Sequence, residues 1–145
     1  MSKIFSKKVG QSGKVYALDP DPESIEILRK ETQGTNIEAL EGDITKPTPL
    51  HQASVDLLYI STVIHGFSIQ NMKDLIKEIK RILKKNAVLA IVEIEKKETS
   101  FGPPLAIRFS PEELKDLIPF APLNTIQVGE HFYMQTFKNQ AKPKI

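Results

Sequence analysis

Two aspartates, one histidine and two glutamates stand where they could do chemistry. Asp19 closes the apolar run Lys14-Val15-Tyr16-Ala17-Leu18-Asp19, and Asp43 closes a second run over residues 37–43. A carboxylate at the end of a strand accepts hydrogen bonds, either from the turn it caps or from hydroxyl and amine donors of a bound molecule. His65 follows a third apolar run, within Ser61-Thr62-Val63-Ile64-His65-Gly66-Phe67. An imidazole there could take a proton from a hydroxyl or an acidified carbon, or it could simply bond to loop backbone. Glu93 and Glu95 end a fourth run, where charged residues ordinarily face water. His51, His65 and His131 are too dispersed to suggest a metal-ligand set.

Strands and helices in alternation must position these groups. The run ending at Asp19 reads as a short buried strand, and Asp21-Pro22-Glu23 then supplies an N-cap, a proline at the first helical position and an early acid. The helix so opened turns Ile25, Leu28 and Ile27 inward and stops near Gly34, a residue suited to a left-handed cap. Residues 37–43 form the next strand, after which Pro47 and Pro49 break the chain into a loop. Val55-Asp56-Leu57-Leu58-Tyr59-Ile60-Ser61 is nearly continuously apolar, the pattern of a parallel strand covered on both faces.

From Ser68 the period changes. Met72, Leu75, Ile76, Ile79, Ile82 and Leu83 recur at helical spacing, with Lys84-Lys85-Asn86 offering cations and a left-handed cap at the end. A strand over 87–94 follows, then the loop Ser100-Phe101-Gly102-Pro103-Pro104. Ser110-Pro111-Glu112-Glu113 combines a capping box with proline at the first position, predicting a helix that buries Leu114, Leu117 and Ile118 until Pro119. Two strand-like segments, 125–128 and 131–137, flank Gly129 as an antiparallel hairpin. The expected fold class is α/β, a Rossmann-like doubly wound, mostly parallel sheet with a C-terminal antiparallel hairpin.

The chain has 145 residues, 40% of them hydrophobic and 26% charged, which is the composition of one globular domain. We expect a single domain over 1–138 and a tail over 139–145. Twenty basic residues against 18 acidic ones are spread along helices and give no electrostatic case for nucleic acid. The absence of cysteine removes disulfides, thiolate metal sites and a cysteine nucleophile. The start is too short and polar for a signal peptide, and no apolar run approaches the ~20 residues of a membrane span. A cytoplasmic protein without a membrane partner is expected.

Several pieces in order resemble one family: the run at 14–19, Glu41-Gly42-Asp43, Ser54-Val55-Asp56-Leu57-Leu58, Ile79-Lys80-Arg81-Ile82-Leu83-Lys84 and Ala87-Val88-Leu89-Ala90-Ile91. Together they look like the class I S-adenosylmethionine-dependent methyltransferases, in the type 11 group related to ubiquinone and menaquinone biosynthesis enzymes. The resemblance covers residues 9–138 and extends to Phe101-Gly102-Pro103-Pro104 and Ser110-Pro111-Glu112-Glu113. It implies S-adenosylmethionine as cofactor and a methyl acceptor as substrate. It assigns the ribose hydroxyls to Asp19, with Pro20 beside them, and the adenine amine to Asp43, with Ile44 packing on the ring. Ser61 and His65 fall in the segment where related enzymes face cofactor and substrate, which makes His65 a candidate catalytic residue. No Asn-Pro-Pro-Tyr or Asp-Pro-Pro-Tyr follows residue 61, which disfavours methylation of nucleic-acid bases and favours a small-molecule acceptor.

One family piece has no counterpart. The glycine-rich turn of such folds lies about 20 residues before the ribose-binding acid, and counting back from Asp19 passes Met1. Residues 2–9 resemble the end of the first helix, and Gly10-Gln11-Ser12-Gly13 precedes a strand, whereas a phosphate-type loop follows one and opens a helix. The first strand is therefore expected to be missing, and the domain to be N-terminally truncated relative to the family. Three readings stand together: a methyltransferase, a catalytically silent methyltransferase-like binding or oligomerisation module, and a dinucleotide-binding protein. The absent strand would lie between the strands at 14–19 and 55–61. Either these close directly on each other or a second copy covers the gap, and a homodimer or higher homo-oligomer is expected.

Overall fold

The computed structural model describes residues 2–143. The chain divides into two compact units, Met1–Pro49 and Leu50–Ile145.

The first unit is built on a two-stranded parallel ladder. Helix α1 (Ser2–Val9) leads through a glycine turn into β1 (Val15–Asp19), followed by α2 (Pro22–Glu31) and β2 (Ile37–Glu41). β1 and β2 run in register from Val15 against Ile37 to Asp19 against Glu41, so their carboxyl ends lie together. Gly10 takes the left-handed conformation (φ +72°), and a Cβ on Gly13 would meet the Val9 Cβ at 2.4 Å, so both turn glycines are required. Asn36 fastens the unit: its Nδ2 reaches the carbonyls of Ser6, Gly10 and Gly13, and its Oδ1 accepts from the Ser6 hydroxyl. Asp21 caps α2 as expected, its carboxylate accepting from the amides of Glu23 and Ser24. Ile25 is buried, but Ile27 is 59% exposed, because one hundred degrees per residue turns it away from the face that covers the ladder. The helix ends at Glu31, three residues before the left-handed Gly34.

The second unit carries β3 (Val55–Ser61), α3 (Ile69–Ile82), β4 (Leu83–Ile94), a 3₁₀ turn at Leu105–Ile107, α4 (Pro111–Leu117), β5 (Ala121–Gln127) and β6 (Phe132–Lys138). The sheet order is β3-β4-β6-β5, parallel at β3–β4 and antiparallel thereafter, and β5 and β6 form the expected hairpin. Capping boxes close the starts of α3, between Ser68 and Asn71, and α4, between Ser110 and Glu113. The core gathers Leu75, Ile79, Ile82, Leu89, Ile91, Leu114, Ile118 and Phe137, all at most 1% exposed. Each such side chain contributes roughly 1.5–3 kcal/mol of burial free energy.

Five expectations change here. β3 is not covered on both faces: Ile60 is buried, yet Leu57 is 47% exposed, since β3 is the edge of its ladder. The cations in the last turn of α3 are Lys80 and Arg81, because Lys84 and Lys85 already belong to β4. Asn86 does adopt the left-handed conformation (φ +66°), but within a bulge that shifts the β3–β4 register between Val55 and Leu57. Leu117 turns outward, and residues 139–140 are tied down. The Asn139 amide donates to Ala87, its side chain to Leu83 and Lys84, and the Gln140 carbonyl accepts from Ala121. Among the described residues β1 pairs with β2 alone and β3 with β4 alone.

Candidate functional site

The carboxyl end of the β1–β2 ladder places four of the residues expected from sequence. Asp19 is the last residue of β1 and half-buried, with Pro20 exposed beside it. Its Oδ1 accepts the amide of Asp21 at 2.8 Å, while its Oδ2 has no hydrogen bond among the described residues. The Asp19 carbonyl accepts from Gly42 N at 3.0 Å, which draws the loop after β2 against the end of β1. A Cβ at Gly42 would come within 2.8 Å of Leu18 Cδ1, so the close crossing favours glycine between Glu41 and Asp43.

β2 ends at Glu41, so Asp43 lies two residues into the loop instead of closing the strand. Its Oδ1 accepts both the amide and the hydroxyl of Thr45, at 2.8 and 2.7 Å, a local turn that competes with continued ladder pairing. The Thr45 hydroxyl and then its amide hold the Asp43 carboxyl below its ordinary range, so it is ionised at neutral pH. Ile44, half-buried, sits between these two residues. Asp19 and Asp43 thus each commit one carboxylate oxygen to their own turn, and the other has no hydrogen bond among the described residues.

The carboxyl end of β3 and β4 is organised differently. Ser61 ends β3 opposite Val92, and Thr62 follows at φ +55°, a strained backbone for a β-branched residue. Strain of this kind concentrates at functional turns. His65 does not bond to backbone through its ring: its Nδ1 faces Oε2 of Glu93 at 3.3 Å, and Oε1 of Glu93 accepts the amide of Ile64 at 3.0 Å. Glu93 is therefore no solvated strand end. It is 1% exposed within β4, two residues before the loop, whereas Glu95 is partly exposed and pairs with Lys97.

Burial pushes the Glu93 carboxyl up, against the opposing effects of the Ile64 amide and His65. Tyr133 of β6 stands opposite Glu93 in the ladder, but its hydroxyl donates to the Phe109 carbonyl at 2.5 Å, and burial raises it above the ordinary phenol range. Sequence reasoning missed this pairing. The available signal was an acid at the seventh position of the otherwise apolar run Ala87-Val88-Leu89-Ala90-Ile91-Val92-Glu93-Ile94.

Arg108, also missed, is 4% exposed and organises the loop after β4. Its guanidinium donates to the carbonyls of Pro103, Glu95, Lys97 and Phe101 and to the Thr99 hydroxyl. The carbonyl of the preceding Ile107 accepts from Gly66 N at 3.1 Å, tying this loop to the one that carries His65. A cavity of about 450 Å³ beside α2 and β2 is lined by none of the residues expected from sequence. No group of three or more histidines and acids that could hold a metal occurs among the described residues, and none of their helices is long and apolar enough to cross a membrane.

Parallel strands joined by helices, with acids at or just past their carboxyl ends, are the arrangement of a Rossmann-like α/β domain. The model of a methyltransferase domain family, type 11, matches residues 1–91, and the chain belongs to that family, whose cofactor is S-adenosylmethionine. Among solved structures, a SAM-dependent methyltransferase from Aquifex aeolicus superposes with a TM-score of 0.81 at 28% identity, over 95% of this chain and 75% of that one. A protein from Sulfolobus solfataricus described as a type 11 methyltransferase gives 0.76 at 20% identity, over 99% and 82%, a likeness of fold. A curated protein from Thermococcus onnurineus (strain NA1), described as a ribosomal RNA small subunit methyltransferase A, is 53% identical over 36 residues. That stretch is 25% of this chain and spans 13% of the relative's length.

Proposed function

We propose that the chain transfers the methyl group of S-adenosylmethionine to a small-molecule acceptor. The observation that carries this reading is the pair Asp19 and Asp43 at one end of a parallel ladder, each with a carboxylate oxygen unused by its own turn. That donor-accepting chemistry fits the adenosine half of the cofactor: Asp19 for the ribose hydroxyls, with Pro20 at their edge, and Asp43 for the adenine amine, with Ile44 against the ring. In the second unit, Ser61 is proposed as a cofactor-facing residue and His65 as the acceptor's base. When bound, the cofactor supplies an electrophilic methyl on sulfur. The protein's part is to align the acceptor, exclude water and let its proton pass to Nε2 of His65.

A small acceptor is favoured over RNA by the even spread of 20 basic and 18 acidic residues. Calorimetry with S-adenosylhomocysteine on Asp19→Ala and Asp43→Ala tests the assignment. Each lost charged acceptor costs about 1.5–3 kcal/mol, roughly ten- to a hundredfold in affinity. Unchanged affinity in both variants would remove these residues from the site.

A silent, methyltransferase-like module is the second reading, and the turn at Gly10 and Gly13 favours it. That turn follows a helix and enters a strand, and Gly13 N is spent on Gly10 O, so it offers no cradle for the methionine end. Equal affinity for adenosine and S-adenosylmethionine would support this reading, and strong preference for the whole cofactor would sink it.

Assembly is part of the proposal. Among the described residues β1 pairs with β2 alone and β3 with β4 alone, and an open strand edge invites a second copy. Light scattering should show a dimer or larger, and a stable monomer of 16.3 kDa would refute it.

A further inference from the structure

His65 and Glu93 are 28 residues apart in sequence, and the loop after β3 brings the imidazole onto the buried carboxylate. Several features separate this contact from an incidental ion pair. Glu93 sits near the end of β4, between the buried Val92 and Ile94, where a carboxylate loses its hydration. The ionisable neighbour across the ladder, Tyr133, directs its hydroxyl to Phe109 O, so His65 is the side-chain partner Glu93 has among the described residues. Oε1 is held by the Ile64 amide, which fixes the carboxylate's orientation and leaves Oε2 for the ring. The imidazole is oriented in turn: Nδ1 faces inward, the side chain is 32% exposed, and Nε2 has no hydrogen bond among the described residues.

We propose that Glu93 is a positioning residue that fixes His65 in the tautomer protonated at Nδ1, leaving the Nε2 lone pair directed outward to accept a proton. A carboxylate can only accept, so the Nδ1–H···Oε2 bond puts the single proton of a neutral imidazole on Nδ1. When Nε2 takes a proton, the ring becomes a cation beside the Oε2 anion, and the proton later leaves from Nε2 to water. The inference rests on the reading of His65 as the acceptor's base for its use, but the tautomer is measurable without turnover, cofactor or acceptor.

The decisive variant is Glu93→Gln. Its amide oxygen can keep the Ile64 bond, so its NH₂ group then faces Nδ1, which must become the acceptor and send the proton to Nε2. Long-range ¹H–¹⁵N correlation spectra at alkaline pH, where imidazole is neutral, report which nitrogen carries the proton. The expected result is Nδ1–H in the wild type and Nε2–H in Glu93→Gln, with the Ile64 amide signal retained. Nε2–H in the wild type would overturn the proposal without any variant, which covers the case of a variant that fails to fold. An unchanged tautomer in a folded Glu93→Gln would overturn it as well and reduce Glu93 to a cap for the Ile64 amide. Failure of Asp19→Ala and Asp43→Ala to weaken cofactor binding leaves this measurement untouched, so the two assignments fail separately.

Discussion

The carboxyl ends of β1–β2 and of β3–β4 both carry acids, and they hold them in opposite ways. At the first, Asp19 and Asp43 are fastened by amides two residues away, within turns they form themselves. At the second, Glu93 is fastened by groups 28 and 29 residues away and is shut off from water. A local turn holds its acid in place but leaves it wet and with an oxygen to spare. A non-local contact removes the acid from solvent and raises the cost of every change. The first arrangement suits binding, and the second suits orienting another side chain.

Stability measurements should separate the two ends. Glu93→Ala leaves the buried Ile64 amide unsatisfied and opens a cavity, and should cost about 3 kcal/mol in urea unfolding. Asp43→Ala loses a turn of the capping type and should cost about 1 kcal/mol. Asp19→Ala gives up one half-exposed bond and should fall within about 0.5 kcal/mol of wild type. Equal losses at Glu93 and Asp43 would erase the distinction.

The smallest expected effect lies in the pH dependence, where the two ends have opposite signs. Asp43 has a folded pKa below its unfolded one, so its contribution is present above the ordinary carboxylate range and is lost as pH falls through the folded value. Glu93 has a raised one, so its contribution is present below the ordinary glutamate value and is lost as pH rises through the folded value. The stability gap between wild type and Asp43→Asn should therefore shrink toward acid, and that between wild type and Glu93→Gln should shrink toward neutrality. Parallel trends in the two gaps would contradict the contrast.

What was legible in the sequence follows the same division. Caps at Asp21, Ser68 and Ser110 are local chemistry and could be read directly, as could the strand ending at Asp19 and the hairpin around Gly129. Side-chain facing was less secure: Ile27 and Leu117 are apolar yet exposed, because short helices of ten and seven residues bury only a narrow stripe. The pairing of His65 with Glu93, the Asn36 contacts with Ser6, Gly10 and Gly13, and the Arg108 contacts were illegible. Each depends on which residues the ladders bring together, and no periodicity or spacing encodes that. Glu93 in particular looked like a charged strand end because its burial comes from β6 and the loop after β3, elements distant in sequence.

The single guanidinium of Arg108 has a consequence for how its loop moves. Carbonyls from Glu95, Lys97, Phe101 and Pro103 converge on one group, so the segment cannot loosen residue by residue; losing the arginine releases all of them at once. Residues 95–108 are therefore expected to open as one cooperative unit, with their amides exchanging together in a hydrogen-exchange measurement.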